Sequence, residues 1–267
     1  MGNQIDNHDF VKEQYKNDDN LNARINLHSF NINKIDWNTW FFEKMNIPEN
    51  SSILELGCGN GLLWKKNEQA IKETLNITLS DFSEGMLQSA KQNLKNEKIK
   101  YQVIDIQDIP YENESFDIII ARHMLYHVPD IDKALSEVKR VLKRGGKFYV
   151  STNGKEHMQE LERLVKDYDK NIEYDLQKFP NKFGIENGEK FLKKYFSKVL
   201  LEEFNGQIVV DKLEPVVSYI MSSTNFRRKM LDEHKLDNFY KYIETEINKV
   251  GAFRINTKAG MFIASSP

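Results

Sequence analysis

The stretch Ile53-Leu54-Glu55-Leu56-Gly57-Cys58-Gly59-Asn60-Gly61-Leu62 runs an apolar strand into three glycines at alternate positions and then into a helical pattern. Glycine suits such a junction, because the chain must turn tightly and let a ligand approach its backbone closely. The dinucleotide fingerprint Gly-x-Gly-x-x-Gly would need glycine at position 62, where this chain has Leu62. The acidic Glu55 ahead of the glycines also differs from the usual dinucleotide loop. A nicotinamide oxidoreductase is therefore disfavoured, and binding of NAD is the cheap test of that alternative.

Outward from this junction, residues 51 to about 153 alternate short apolar runs with amphipathic stretches, the signature of repeated βαβ units. The pattern predicts strands over 52–56, 77–80, 100–104, 116–121 and 147–151, with helices over about 62–73, 83–94 and 132–142. The last helix is expected to end at Lys143-Arg144-Gly145-Gly146, where cations suit the negative end of the helix dipole and a glycine can cap it. Right-handed crossovers between such strands give a parallel sheet, with the ligand crevice beyond the carboxyl ends of the strands where their order reverses.

The flanks read differently. Residues 1–48 are expected to form an N-terminal helical lid, with two or three short helices in 8–46 broken at Asn17-Asp18-Asp19-Asn20 and Asn31-Ile32-Asn33. Trp37, Trp40, Phe41 and Phe42 stand there at helical spacing before Pro48, a pattern of packing against a core. Residues 49–153 are the ligand-binding core, and 154–267 complete the sheet around a helical insertion. In that last region helices are expected over about 155–168, 187–196, 212–221 and 226–249, with strand-like alternation at 199–204 and 251–264. The whole is an α/β, Rossmann-like, doubly wound and mostly parallel sheet of seven expected strands.

Composition excludes several classes. The 267 residues admit one α/β domain with an added cap, and 40 acidic against 38 basic residues give a net charge of -2. Without an excess of Lys and Arg there is no broad basic face, so nucleic acid is not an expected partner. The single Cys58 cannot form an internal disulfide or a CxxC-type zinc site; no metal is expected, and a reducing compartment is. The first twenty residues contain no apolar core of signal-peptide length, and no run approaches 18 apolar residues, so a cytoplasmic location without membrane contact is expected. Gly2 opens a run lacking the Ser or Thr of a myristoylation signal.

The order Glu-x-Gly-x-Gly-x-Gly at 55–61 resembles motif I of the class I S-adenosylmethionine (SAM) methyltransferases, and the later strand ends carry the segments that should accompany it. Twenty residues after Gly61, Asp81 in Leu79-Ser80-Asp81-Phe82-Ser83 ends the second strand, where a carboxylate can accept both ribose hydroxyl hydrogens. Asp81 is also the residue type of a turn or helix cap. The third strand ends in Val103-Ile104-Asp105-Ile106-Gln107-Asp108-Ile109-Pro110, which resembles the family's adenine-binding segment. That likeness implies that Asp105 accepts from the exocyclic amine and the Ile106 N–H donates to a ring nitrogen, with Asp108 a solvated turn residue. The fourth strand delivers Arg122-His123-Met124-Leu125-Tyr126-His127, the segment that borders the methyl group in such enzymes. Residues 134–148 then resemble the family's helix, glycine turn and fifth strand, so the likeness covers about 51 to 153.

The resemblance implies a Rossmann-like fold, SAM as cofactor with S-adenosylhomocysteine as product, and a cofactor set of Glu55, Gly57, Gly59, Gly61, Asp81, Phe82, Asp105, Ile106 and Arg122. Outside the core the likeness is to small-molecule methyltransferases with an N-terminal helical lid, so a small-molecule methyl acceptor is the expected partner. Tyr15, Arg24, His28, His123 and Tyr126 are the candidates to meet it. Arg24 and His28 are four apart and share a helix face, which a solvated surface explains as well. A general base helps when the acceptor is a hydroxyl or carbon acid, and His127, just after the fourth strand, is the candidate, although a structural histidine would occupy the same place. Cys58 is read as loop packing rather than a nucleophile. Arg227, Arg228 and Lys229 either attract an acidic substrate or form a solvated face. Two other readings stay open: an RNA or protein methyltransferase, and a SAM-binding regulatory protein without turnover. The first would show a basic groove and an Asn-Pro-Pro-Tyr-like motif where this chain reads Arg122-His123-Met124-Leu125.

Overall fold

The computed structural model describes residues 18–230 and 232–265. Two short helices, α1 (Asp19–His28) and α2 (Trp37–Met45), precede β1 (Ser52–Leu56). The core continues through α3 (Leu62–Lys66), β2 (Asn76–Asp81), α4 (Glu84–Leu94), β3 (Lys100–Val103), β4 (Phe116–Arg122), α5 (Ile131–Val141) and β5 (Leu142–Asn153). Then come α6 (Gln159–Tyr168), α7 (Lys178–Lys182), α8 (Gly188–Leu192), β6 (Lys198–Val210), α9 (Leu213–Met221), α10 (Thr224–Lys229), α11 (Glu233–Val250) and β7 (Phe253–Ser265).

All seven strands lie in one sheet of order β3-β2-β1-β4-β5-β7-β6. Strands β1 to β5 pair in parallel, whereas β7 runs antiparallel to both β5 and β6. This is the mixed, doubly wound sheet that the sequence predicts. Its near-continuous apolar runs follow from burial on both faces. Leu54, Ile119, Phe148 and Phe262 enter one layer, which α5 covers with Ala134, Leu135 and Val138. Ile53, Ile118, Ile120, Tyr149 and Met261 enter the other, covered by Phe41 and Met45 of α2, Trp64 of α3 and Ala90 and Leu94 of α4. A third apolar cluster joins Leu27 of α1 to α6, α9, α11 and the ends of β6 and β7. The order reverses between β1 and β4, and that opens the crevice beyond their carboxyl ends.

Several boundaries differ from the sequence reading. The first core helix stops at Lys66 because the Asn67 amide turns back to donate to the Leu63 carbonyl at 2.7 Å. Helix α5 ends at Val141, where Leu142 is already extended (φ -80°, ψ 128°), so Gly145 does not cap it. Leu142 pairs with Phe116 and Lys147 with Ile118, leaving 143–146 as a bulge within β5 in which Gly145 (φ +72°) makes the turn. The expected helix over 226–249 is two helices, restarted where the Asp232 carboxylate accepts from the backbone N–H of His234. The expected 187–196 helix is only Gly188–Leu192, and the 155–168 helix begins at Gln159 after a left-handed Met158 (φ +57°). Strand β6 is longer than expected, since 198–210 pairs with β7 along its whole length.

Candidate active site

The glycines between β1 and α3 are all left-handed, with φ of +71°, +57° and +76° at Gly57, Gly59 and Gly61. A Cβ on Gly57 would stand 3.0 Å from Cγ of Met124, and one on Gly61 would stand 3.0 Å from Cδ1 of Leu94 on α4. Gly57 thus lets β1 and β4 share a crevice, and Gly61 lets α4 close against the loop. The loop is pinned from β2: one carboxylate oxygen of Asp81 accepts the Gly59 N–H at 2.9 Å, and the other accepts the Ser83 N–H at 2.9 Å. Burial raises the Asp81 pKa, and backbone donors from Ser83, Gly59 and Phe82 oppose that rise. Each oxygen keeps acceptor capacity, since an ionised carboxylate offers about four lone-pair sites.

These residues open on a cavity of about 640 Å³, within the range of small-ligand sites. Gly57, Gly59, Asp81, Phe82, Asp105, Ile106 and Arg122 line it. Asp105 is braced by Gln107, whose backbone N–H lies 2.9 Å from Oδ1 and whose side-chain amide reaches both oxygens at 3.2 Å. Cys58 lines the cavity too, but its side chain is 3% exposed and burial beside Asp81 and Glu55 pushes its thiol well up, away from nucleophilic character.

Two members of the expected cofactor set do not line the cavity. Gly61 packs under α4, as above. Glu55 is fully buried and spends its oxygens inside the protein, accepting from Trp64 Nε1 at 2.6 Å and from Arg122 Nε at 3.0 Å. Burial raises its pKa, and Arg122 and the Trp64 hydrogen bond work against that. Arg122 extends the network by donating to Asn38 Oδ1 at 2.9 Å, which ties the end of β4 to α2. Glu55 therefore braces the strand ends and Arg122.

The far wall comes from the flanking helices. On α1, Arg24 and His28 line the cavity; Arg24 Nε donates to Ser222 Oγ at 3.0 Å, and Asn22 accepts from the Asn60 amide at 3.2 Å. Arg227 is not a free cation at the surface, because its Nη1 donates to Asn20 Oδ1 at 3.1 Å and ties α10 to α1. His123 takes a left-handed backbone (φ +49°) after β4, and Tyr126 and His127 follow in a short 3-10 turn over 125–127. Phe179 stands beside both, with ring centroids 5.1 Å from Tyr126 and 5.5 Å from His127. Tyr15 lies outside the described residues.

Sequence reasoning missed several lining residues. Trp37 packs as expected against Trp40 and Phe41, yet it also lines the cavity beside His123. Phe204, Tyr219 and His157 line it as well. His157 was the one with a signal, because it follows the carboxyl end of β5, where a parallel sheet places its ligands. Phe204 and Tyr219 read as ordinary members of a strand and an apolar helix.

Comparison with known proteins agrees with this geometry. Residues 54–150 match the Methyltransferase domain family. A Demethylmenaquinone methyltransferase of Lactobacillus johnsonii is 30% identical over 146 residues, which are 53% of this chain and 58% of that protein. A Ubiquinone/menaquinone biosynthesis C-methyltransferase of Rickettsia bellii is 32% identical over 154 residues, 55% of this chain and 61% of the relative. The chain thus spans about three fifths of the curated relatives that it matches. The phosphoethanolamine N-methyltransferase 2 of Haemonchus contortus, solved with S-adenosyl-L-methionine, superposes with a TM-score of 0.59 at 20% identity, over 100% of this chain and 60% of that one. At that identity the likeness shows the shared fold.

Proposed function

We propose that this chain, whose residues 54–150 match the Methyltransferase domain family, transfers a methyl group from SAM to a small-molecule acceptor in the cytoplasm. The observation that carries this reading is the bond from the Gly59 N–H to Asp81, which joins the glycine loop to the end of β2 on one cavity wall. The chain fits the cofactor. Asp81 has acceptor capacity left for a ribose diol, Asp105 and Ile106 lie on the same wall for the adenine, and Phe82 lies beside Asp81. In this reading Gly57 and Gly59 hold the cofactor by their backbone, whereas Glu55 and Gly61 act through what they support. Arg122 closes the same wall from β4.

When bound, SAM supplies an electrophilic methyl group together with its leaving group, so the chain has mainly to orient the acceptor and exclude water. Residues 18–48 of the lid and the cap within 154–267 do the second. Arg24, His28, His123 and Tyr126 serve the acceptor side. His127 is the proposed catalytic residue, one of whose ring nitrogens takes the acceptor's proton. The names of the matched relatives, which are quinone-pathway methyltransferases, support a small acceptor; no nucleic acid or membrane has a part in this reading. The test is a calorimetric titration with S-adenosylhomocysteine, SAM and NAD. Micromolar binding of the adenosyl-sulfur ligands alone is expected, and binding of NAD alone, or of none of the three, would overturn the proposal.

A further inference from the structure

Besides His127, three imidazoles meet the cavity from three separate places: His28 at the end of α1, His123 after β4 and His157 between β5 and α6. The His28 and His157 rings stack with centroids 5.8 Å apart and planes at 23°, and Tyr219 meets His28 edge-on at 6.3 Å. Trp37 stands 5.3 Å from His123 and 5.4 Å from Phe204, so flat rings continue the wall.

Hydrogen bonding assigns one tautomer. Nδ1 of His157 accepts the Lys258 backbone N–H at 3.1 Å, so a neutral His157 carries its hydrogen on Nε2 and has an N–H donor left. Among the described residues, the His28 and His123 rings make ring contacts rather than hydrogen bonds, so each keeps one donor and one acceptor nitrogen.

The charges around the three rings are one-sided. Burial lowers the His28 pKa to about 4 with help from Arg24, and lowers that of His123 to about 3 with help from Arg122 and His28. His157 is pushed well below 6.5 by burial, His28 and His123. Among the described residues no carboxylate opposes these shifts. The acidic residues on the cavity wall are engaged elsewhere: Asp36 caps α2, Asp81 and Asp105 hold backbone N–H groups, and Asp175 and Glu173 act on Lys178.

We propose that His28, His123 and His157 form the acceptor subsite and that it takes a hydroxyl or enol oxygen carried on a flat ring, neutral or anionic, in preference to an ammonium group. A hydroxyl oxygen both donates and accepts and so matches three neutral imidazoles, and an anionic oxygen can accept from their N–H groups. An ammonium offers only donors and, among the described residues, finds no carboxylate beside the three rings. The proposal rests on the methyltransferase reading for its role, though not for the binding itself.

The test uses the full chain with S-adenosylhomocysteine and two probes, 4-nitrophenol, followed by its phenolate absorbance and by calorimetry, and 2-phenylethylamine, an aromatic ammonium of similar size. We expect 4-nitrophenol to bind at least about tenfold more tightly than the amine. His28→Phe and His157→Phe keep the ring stack and remove its hydrogen bonds, and each should weaken 4-nitrophenol by about three- to tenfold while S-adenosylhomocysteine affinity stays the same. Equal or tighter binding of the amine to the unmodified protein would overturn the proposal, and so would unchanged 4-nitrophenol affinity in both variants. Histidine-dependent binding of the phenol without any binding of S-adenosylhomocysteine would support the subsite and remove the methyl-transfer reading.

Discussion

Replacing Asp81 by alanine tests the joint between the glycine loop and β2. The carboxylate has two tasks, each with its own magnitude. Toward the protein it satisfies the Gly59 and Ser83 N–H groups, both at 2.9 Å. Leaving one such donor unmade costs about 1–3 kcal/mol when it is buried, and less where cavity water replaces the carboxylate. Toward the ligand it would accept two ribose hydroxyls, and hydrogen bonds to a charged group contribute about 1.5–3 kcal/mol each. Loss of both is therefore at least about 3 kcal/mol, or on the order of a hundredfold in affinity. A floor of about tenfold allows for partial rescue by water. Asp81→Asn keeps the size and one carbonyl acceptor but turns an N–H toward one of the two backbone donors, so its loss should fall between wild type and alanine. Calorimetry with S-adenosylhomocysteine reads the affinities, and urea unfolding of the same samples reads the structural share. A folded Asp81→Ala protein that binds S-adenosylhomocysteine within threefold of wild type would refute the ribose assignment.

Other perturbations probe the rest of the site. Arg122→Met should cost about 3–5 kcal/mol of stability, because it strands the fully buried Glu55 carboxylate, and adding Glu55→Gln should restore part of it; a loss under about 1 kcal/mol in urea would contradict the ion-pair argument. Gly57→Ala should lower stability by about 1–2 kcal/mol, since alanine must adopt φ +71° with its Cβ 3.0 Å from Met124, and an unchanged melting temperature would show that the loop can relax. His127→Ala should reduce turnover with S-adenosylhomocysteine affinity intact if the ring takes the proton, whereas equal loss of both would assign it a structural role. Stability should also fall with acid. His28 and His123 have folded pKa values of about 4 and 3 against 6.5 when unfolded, so below pH 6.5 the unfolded chain binds protons that the folded chain refuses. Their contribution is complete above pH 6.5 and is lost as the pH falls from there toward about 4 and then 3. Urea midpoints at pH 7 and pH 5 measure the slope, and His28→Phe should flatten it; an unaltered slope would mean that His28 is charged in the folded state.

The parts of the fold legible in the sequence were those written in local chemistry. An apolar run ending in alternate glycines, and carboxylates at the next two strand ends, locate β1, β2, β3 and their crevice, because parallel strands bury both faces and send their carboxyl ends to one side. The bracing by Glu55 was not legible for a physical reason: a carboxylate beside a glycine loop reads as a ligand-binding group, and its partners Arg122 and Trp64 stand 67 and 9 residues away. Gly145 was misread as a helix cap because sequence does not distinguish a left-handed glycine after a helix from one inside a bulged strand. Part of the cavity's far wall was hidden for another reason. His157, Phe204 and Tyr219 come from separate elements and are brought together only by tertiary packing.

Helix α1 has only Asn20 and Leu27 buried, and side-chain hydrogen bonds hold it to the core: Asn60 to Asn22, Arg24 to Ser222 and Arg227 to Asn20. Its following segment is fastened by backbone pairing, with the Ile32 N–H on the Gln207 carbonyl and the Val209 N–H on the Phe30 carbonyl. Swinging α1 aside about Ser29 would trade these polar bonds for bonds to water, and it would also lift Leu27 from its apolar cluster and part the His28–His157 ring stack. The apolar surface exposed would be that of one short helix, so the heat-capacity change of such a movement would be far below that of unfolding the core.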